Sequence, residues 1–140
     1  MRIEATCLYM VLKPAQDTAT AWPAQTKRKD DIMSLKERWD STVADVAEIC
    51  RSCNRKPEDV RIIAVSKTVE PPVVAEAIAA GAVDFGENRT QPFNEKFNLY
   101  PQVNWHLIGQ LQSRKAKEVV GKACLIHSLD RASLLHAVQK

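Results

Sequence analysis

From Val60 onward, short apolar runs return about every twenty residues, and segments of helical period fill the gaps between them. The first run, Ile62-Ile63-Ala64-Val65, is continuously apolar. A strand with one face in water would alternate instead, so this one is covered on both faces, as parallel strands are. Taking Ile62, Val83, Trp105 and Leu125 as equivalent points, the spacings are 21, 22 and 20 residues, which leaves room for a strand, a helix and two short loops in each unit. The units read as strand 60–65 with a helix opened by Pro71-Pro72 and closed by Gly81, strand 82–85 with helix 92–98, strand 104–108 with helix 113–120 capped by Gly121, and strand 124–129 with helix 131–140. The class is α/β.

Ahead of these units, Ser34-Leu35-Lys36-Glu37 is a capping box, in which Ser34 and Glu37 reciprocally satisfy backbone donors at a helix start. Trp39, Val43, Val46, Ile49, Cys50 and Cys53 then recur at steps of three and four, on one helix face that brings both cysteines to the core or its flank. Asn54 suits a left-handed C-cap and Pro57 blocks continuation, which ends the helix near Cys53. Residues 1–32 show no sustained helical or strand period and finish in Lys27-Arg28-Lys29-Asp30-Asp31. They read as a loose extension: either a flexible arm, or the product of a start codon assigned upstream of Met33. Pattern alone does not separate an open sheet from part of a closed one. A complete (β/α)₈ barrel needs about 250 residues, so only half of one is here, and the last helical segment reaches Lys140 without a capping Gly or Asn. The chain reads as truncated.

A length of 140 residues suits one domain, and 45% apolar with 26% charged residues excludes a disordered tail or a fibre. The longest uninterrupted apolar run, residues 7–12, is far short of the roughly 20 needed to span a bilayer. A net charge of +3, spread along the sequence, is too mild to argue for nucleic acid or an anionic membrane, which leaves small molecules as the partner class. Cys7, Cys50, Cys53 and Cys124 are too few for a disulfide scaffold, so a reducing cytoplasm is the default. Cys50-x-x-Cys53 has no second pair and no neighbouring histidine to complete a zinc site; no metal is expected.

In parallel α/β folds, ligands bind where strands end. The strand ends here are Ser66-Lys67-Thr68, Gly86-Glu87-Asn88, His106 with Gly109-Gln110, and Ser128 to Asp130, and they should converge on one mouth. Lys67 directly follows a fully apolar strand, where partial burial would disfavour the ammonium form and leave an amine nucleophilic toward aldehydes; Glu87, if close, would oppose this. The plainer alternative is a lysine that snorkels into water. Asn88 can donate and accept toward a polar ring substituent, and His106 offers a flat ring with a titratable nitrogen, although a histidine between Trp105 and Leu107 is more simply a satisfied buried residue. Gly86 and Gly109 would permit close backbone approach to a ligand or serve ordinary turns. Arg114, Lys115 and Lys117 at a helix start read as a solvated face, because no aromatic residues interleave with them. Walker, dinucleotide-binding, serine-hydrolase and zinc-protease motifs are absent.

Taken together, Ile63-Ala-Val-Ser-Lys67-Thr68, Phe85-Gly-Glu-Asn88, Trp105-His-Leu-Ile-Gly109-Gln-Leu-Gln-Ser113-Arg-Lys115 and His127-Ser-Leu-Asp130-Arg131 resemble the pyridoxal phosphate homeostasis proteins of the YggS/PROSC type. The resemblance covers about residues 34–140, includes Cys53-Asn-Arg-Lys-Pro57, and leaves residues 1–32 unmatched. It implies a partial TIM barrel of the alanine racemase N-terminal type over residues 33–140. It also implies pyridoxal 5′-phosphate (PLP) held as a Schiff base on Lys67, with Asn88 and His106 near the cofactor ring. Such proteins store and deliver the cofactor, without an established turnover reaction, and PLP-dependent apoenzymes are the implied recipients.

The family's phosphate cup comes from loops after its last strands, which this chain lacks, so its affinity for the cofactor should be reduced. Exposed sheet edges should also invite self-association. Two rivals stand beside the binding reading. A racemase- or lyase-like enzyme would need a second acid or base opposite the lysine, and none is identifiable; an inactive barrel fragment is the other.

Overall fold

The computed structural model describes residues 6–11 and 33–139. Five parallel strands form one sheet in chain order: β1 (Thr6–Val11), β2 (Val60–Val65), β3 (Asp84–Glu87), β4 (Asn104–Leu107) and β5 (Leu125–Ile126). Each pairs with its sequence neighbour, and the crossovers carry α1 (Leu35–Ser52), α2 (Pro71–Ala79), α3 (Thr90–Leu99) and a 3₁₀ helix, Ser113–Glu118. After β5 comes α4 (Ala132–Val138). This is the repeating βα arrangement that the spacing predicts, and it forms part of a barrel.

The registers explain why the strands are apolar throughout. Ala64, Phe85 and Trp105 share a rung and are completely buried. They pack with Val74 and Ala77 of α2, Phe93 of α3 and Trp39 of α1 in the main core, where Phe85 and Phe93 both contact the Trp105 ring. The next rung, Val65–Gly86–His106, has the opposite parity, because side chains alternate along a strand. Val65 and Ile63 are buried outside that core, on the inner face. The sheet is thus buried on both sides, as a continuous apolar run requires.

The largest difference from the sequence reading is β1. Residues 1–32 show no strand period, yet residues 6–11 pair along their full length with β2 and cover what would otherwise be its free edge. Such a strand is selected by a partner's exposed donors and acceptors more than by its own alternation. The reading of residues 1–5 and 12–32 as a loose extension lies outside the described residues.

Helix α1 begins at the expected capping box, with the Glu37 N–H donating to Ser34 Oγ and Ser34 N–H to Glu37 Oε2. Asn54 takes the left-handed conformation beyond it, φ 53°. Its apolar stripe is only partly used: Leu35, Trp39 and Cys50 are buried, whereas Val43, Ile49 and Cys53 are exposed. Of the two cysteines expected to face or flank the core, Cys50 is buried and Cys53 is exposed.

Two later elements are shorter than expected. Residues 113–118 form a 3₁₀ helix, whose three-residue period stacks the buried Ala116 and Val119 on one side before Gly121 turns the chain at φ 79°. Strand β5 keeps only two residues of the run 124–129, and Leu125 and Leu129 are exposed.

Candidate functional site

The C-terminal strand ends do converge. The Ser66 N–H donates to Gly86 O, and Ile108 N–H to Glu87 O, which extends the ladder one residue past β2 and β4. Ser128 Oγ donates to Gly109 O, tying the segment after β5 to the one after β4. Gly109 lies directly on the peptide of Asn88: a Cβ there would stand 2.1 Å from Asn88 O. Its lack of a side chain is thus used by the protein's own backbone, one of the two uses the sequence allows.

Lys67 and Asn88 each stand two residues beyond the Val65–Gly86 rung, Lys67 in the turn after β2 and Asn88 in the bend after β3. Both are exposed. For Lys67 this corrects the expected partial burial: it has left the strand and enters a turn whose next residue, Thr68, has φ 69°. Glu87 is committed to a different lysine. It faces the helices, fully buried, where its Oε1 is 2.6 Å from Lys96 Nζ of α3. Ser66 Oγ donates to the same Oε1 at 2.7 Å, and Lys96 Nζ also donates to Ser66 O at 2.7 Å. Glu87 Oε2 is buried without a hydrogen-bond partner.

His106 lies deeper, on the Val65–Gly86 rung, with no exposed surface. Both of its nitrogens are engaged: Nε2 is 2.9 Å from Asp84 Oδ1 and Nδ1 is 3.1 Å from His127 Nε2. With Asp84 ionised, Nε2 donates to it, and the contact between Nδ1 and His127 Nε2 is bridged by one hydrogen. Arg61 Nη1 reaches both Asp84 Oδ1 at 3.8 Å and Cys124 Sγ at 3.7 Å, so the polar chain crosses the inner face from β2 to β5. Burial alone would raise the Asp84 carboxyl, but the hydrogen bond from His106 and the charge of Arg61 outweigh it and leave it below the ordinary carboxylate range. Burial, and then the charge of His106, pull His127 below its usual value. Sequence reading singled out His106 and missed Asp84 and Arg61 as its company. Period-two parity on β2 and β3 was the available signal.

No protein-family model matches the chain. A protein of Aquifex aeolicus is 36% identical over 110 residues, covering 77% of this chain and 48% of the relative. Proteins of Synechocystis and Escherichia coli K12 are 42% and 39% identical over 81 and 84 residues, each match covering 56% of this chain. The curated homologues of this chain are pyridoxal phosphate homeostasis proteins. The chain spans between about a third and a half of the length of these curated relatives. Among solved structures, PipY of Synechococcus elongatus with PLP bound is 38% identical with a TM-score of 0.56, over 69% of this chain and 46% of PipY. An unknown protein from Bifidobacterium adolescentis aligns at 25% identity with a TM-score of 0.66, over 74% of this chain and 47% of that one. Among the described residues no helix is long and apolar enough to cross a membrane, and no cluster of His, Cys, Asp and Glu is placed to hold a metal.

Proposed function

We propose that this chain binds PLP in the cytoplasm as part of vitamin B6 homeostasis, with Lys67 as the covalent anchor and without turnover of a substrate. What supports the reading is that a protein 38% identical over 69% of the chain was solved with PLP bound, while here the motif residues meet at one end of the sheet. When bound, the cofactor supplies an aldehyde that condenses with an amine and releases one water. Lys67 fits that role because its amine is accessible at the strand end. Asn88, exposed just past β3, offers a donor and an acceptor for a ring substituent. His106 serves as a fixed floor, because Asp84 and His127 already occupy its nitrogens. PLP-dependent apoenzymes are the proposed recipients.

The test is to mix the chain with PLP, reduce with borohydride and map the modified lysine by mass spectrometry. Label concentrated on Lys67, and lost in Lys67→Ala, is the expected result; label spread evenly over the surface lysines refutes the anchor. Amino-acid turnover abolished by Lys67→Ala would instead favour an enzyme. A second reading, self-association through the β5 edge, is favoured by the exposed Leu125 and Leu129 beside that short strand. Sedimentation across a concentration series tests it, and a strictly monomeric chain rules it out.

A further inference from the structure

Lys67 is exposed, in a turn that holds a non-glycine residue at positive φ, so its amine is only as well placed as the backbone beneath it. That backbone is held from the helix side. Ser66 is completely buried, and the carbonyl that joins it to Lys67 accepts from Lys96 Nζ at 2.7 Å and from Val69 N–H at 3.2 Å. The ammonium is fixed in turn by Glu87 Oε1 at 2.6 Å, which also takes the Ser66 hydroxyl. Lys96 is itself buried, with 7% of its side chain exposed. A buried ion pair is weak evidence for stability, because apolar residues of like volume often do as well. What an apolar pair cannot do is donate to the peptide that carries Lys67. Charge-assisted hydrogen bonds are short, and here the one ammonium that bonds the peptide is itself held by the Glu87 oxygen that also takes the Ser66 hydroxyl.

We propose that Lys96 is a positioning residue for the PLP anchor: through the Ser66 carbonyl, and steadied by Glu87, it fixes the strand end that presents Lys67. The inference rests on the reading that Lys67 anchors the cofactor. A specific site then depends on a helix residue that never touches the ligand.

The test uses the full chain and PLP with borohydride, reading the labelling rate of Lys67 relative to the exposed Lys117. Lys96→Met alone would strand the Glu87 charge, so the informative variant is Glu87→Gln with Lys96→Met, which removes the donor to Ser66 O and leaves no lone charge. A cooperatively folded double variant whose Lys67 to Lys117 ratio falls at least about tenfold is expected, since misplacement by an ångström is costly. An unchanged ratio in a folded variant overturns the proposal, even if its melting temperature drops, because a purely structural role would move only the latter. Absence of preferential Lys67 labelling in the unaltered chain would instead sink the anchor reading itself. Should the double variant not fold, hydrogen exchange in the unaltered chain decides. The Val69 amide, bonded to Ser66 O, must be protected by more than about tenfold over an unstructured peptide, and weaker protection overturns the proposal.

Discussion

Replacing Gly109 by alanine tests the packing of the strand ends most sharply. The new methyl would stand 2.1 Å from Asn88 O and 2.8 Å from both Asn88 C and Cα, distances that real Cβ atoms do not tolerate. The peptide of Asn88 must retreat by about 1 Å, and no flexible side-chain end is available to yield. That peptide lies between Glu87, whose carbonyl is tied to Ile108 N–H, and the start of α3, so the shift strains both. Overpacking costs typically 1–3 kcal/mol, and a backbone obstacle puts this case at about 3 kcal/mol. At roughly 4 °C per kcal/mol for a domain of this size, melting should fall by about 12 °C. Gly121→Ala is the control: nothing lies within 4 Å, and only its φ of 79° is strained, at about 1 kcal/mol. Denaturant titration of both variants measures the difference. If Gly109→Ala costs no more than Gly121→Ala, the close contact between Asn88 and Gly109 does not exist, and the convergence of these strand ends is misdrawn.

Lys96→Met alone should destabilise by about 3–5 kcal/mol, because it leaves the Glu87 carboxylate buried and unpaired; urea midpoints should show most of that loss recovered when Glu87→Gln is added. Ser34→Ala should cost about 1 kcal/mol, read by the same titration and by helical circular dichroism, since it removes the acceptor for the Glu37 N–H. Stability against pH should fall in two steps. His127 is lowered in the folded chain, so the unfolded chain takes up the proton first, and stability declines as pH drops below about 6.5 until the folded group also titrates. Asp84, also lowered, contributes stability above its unfolded value of about 3.9 that is lost as pH falls through the folded one. His127→Gln should abolish the upper step and keep the lower, and an unaltered upper step would show that another group causes it.

Much of the α/β architecture was legible because parallel strands buried on both faces leave apolar runs that cannot alternate, and Val60–Val65 is recovered residue for residue. Boundaries slipped where local chemistry gave no sign. Strand β3 starts at Asp84, because the Ala82 N–H is spent closing the turn onto Ala77 O. Strand β1 was invisible, since its pairing depends on an edge some fifty residues away. Lys67, expected to be partly buried at the strand end, is exposed, because the exposure of a residue just past a strand is set by what packs over it. The partner of Glu87 was illegible for a related reason: Lys96 looks like any lysine on an amphipathic helix until α3 is laid against the sheet.

These misreadings share a physical origin in the two faces of one sheet. Ser66 and Glu87 point to the helices, while Asp84 and His106 point inward, and on each face these groups bond to one another or to a neighbour, with Glu87 Oε2 left over. Lys67 and Asn88 are left exposed at the rim, alongside Thr68, Arg89 and Gln110. Lys96 is spent on Ser66 and Glu87, and His106 on Asp84 and His127, whereas Lys67 stays exposed; that contrast is the physical basis for proposing Lys67, and not a buried neighbour, as the group that meets an aldehyde.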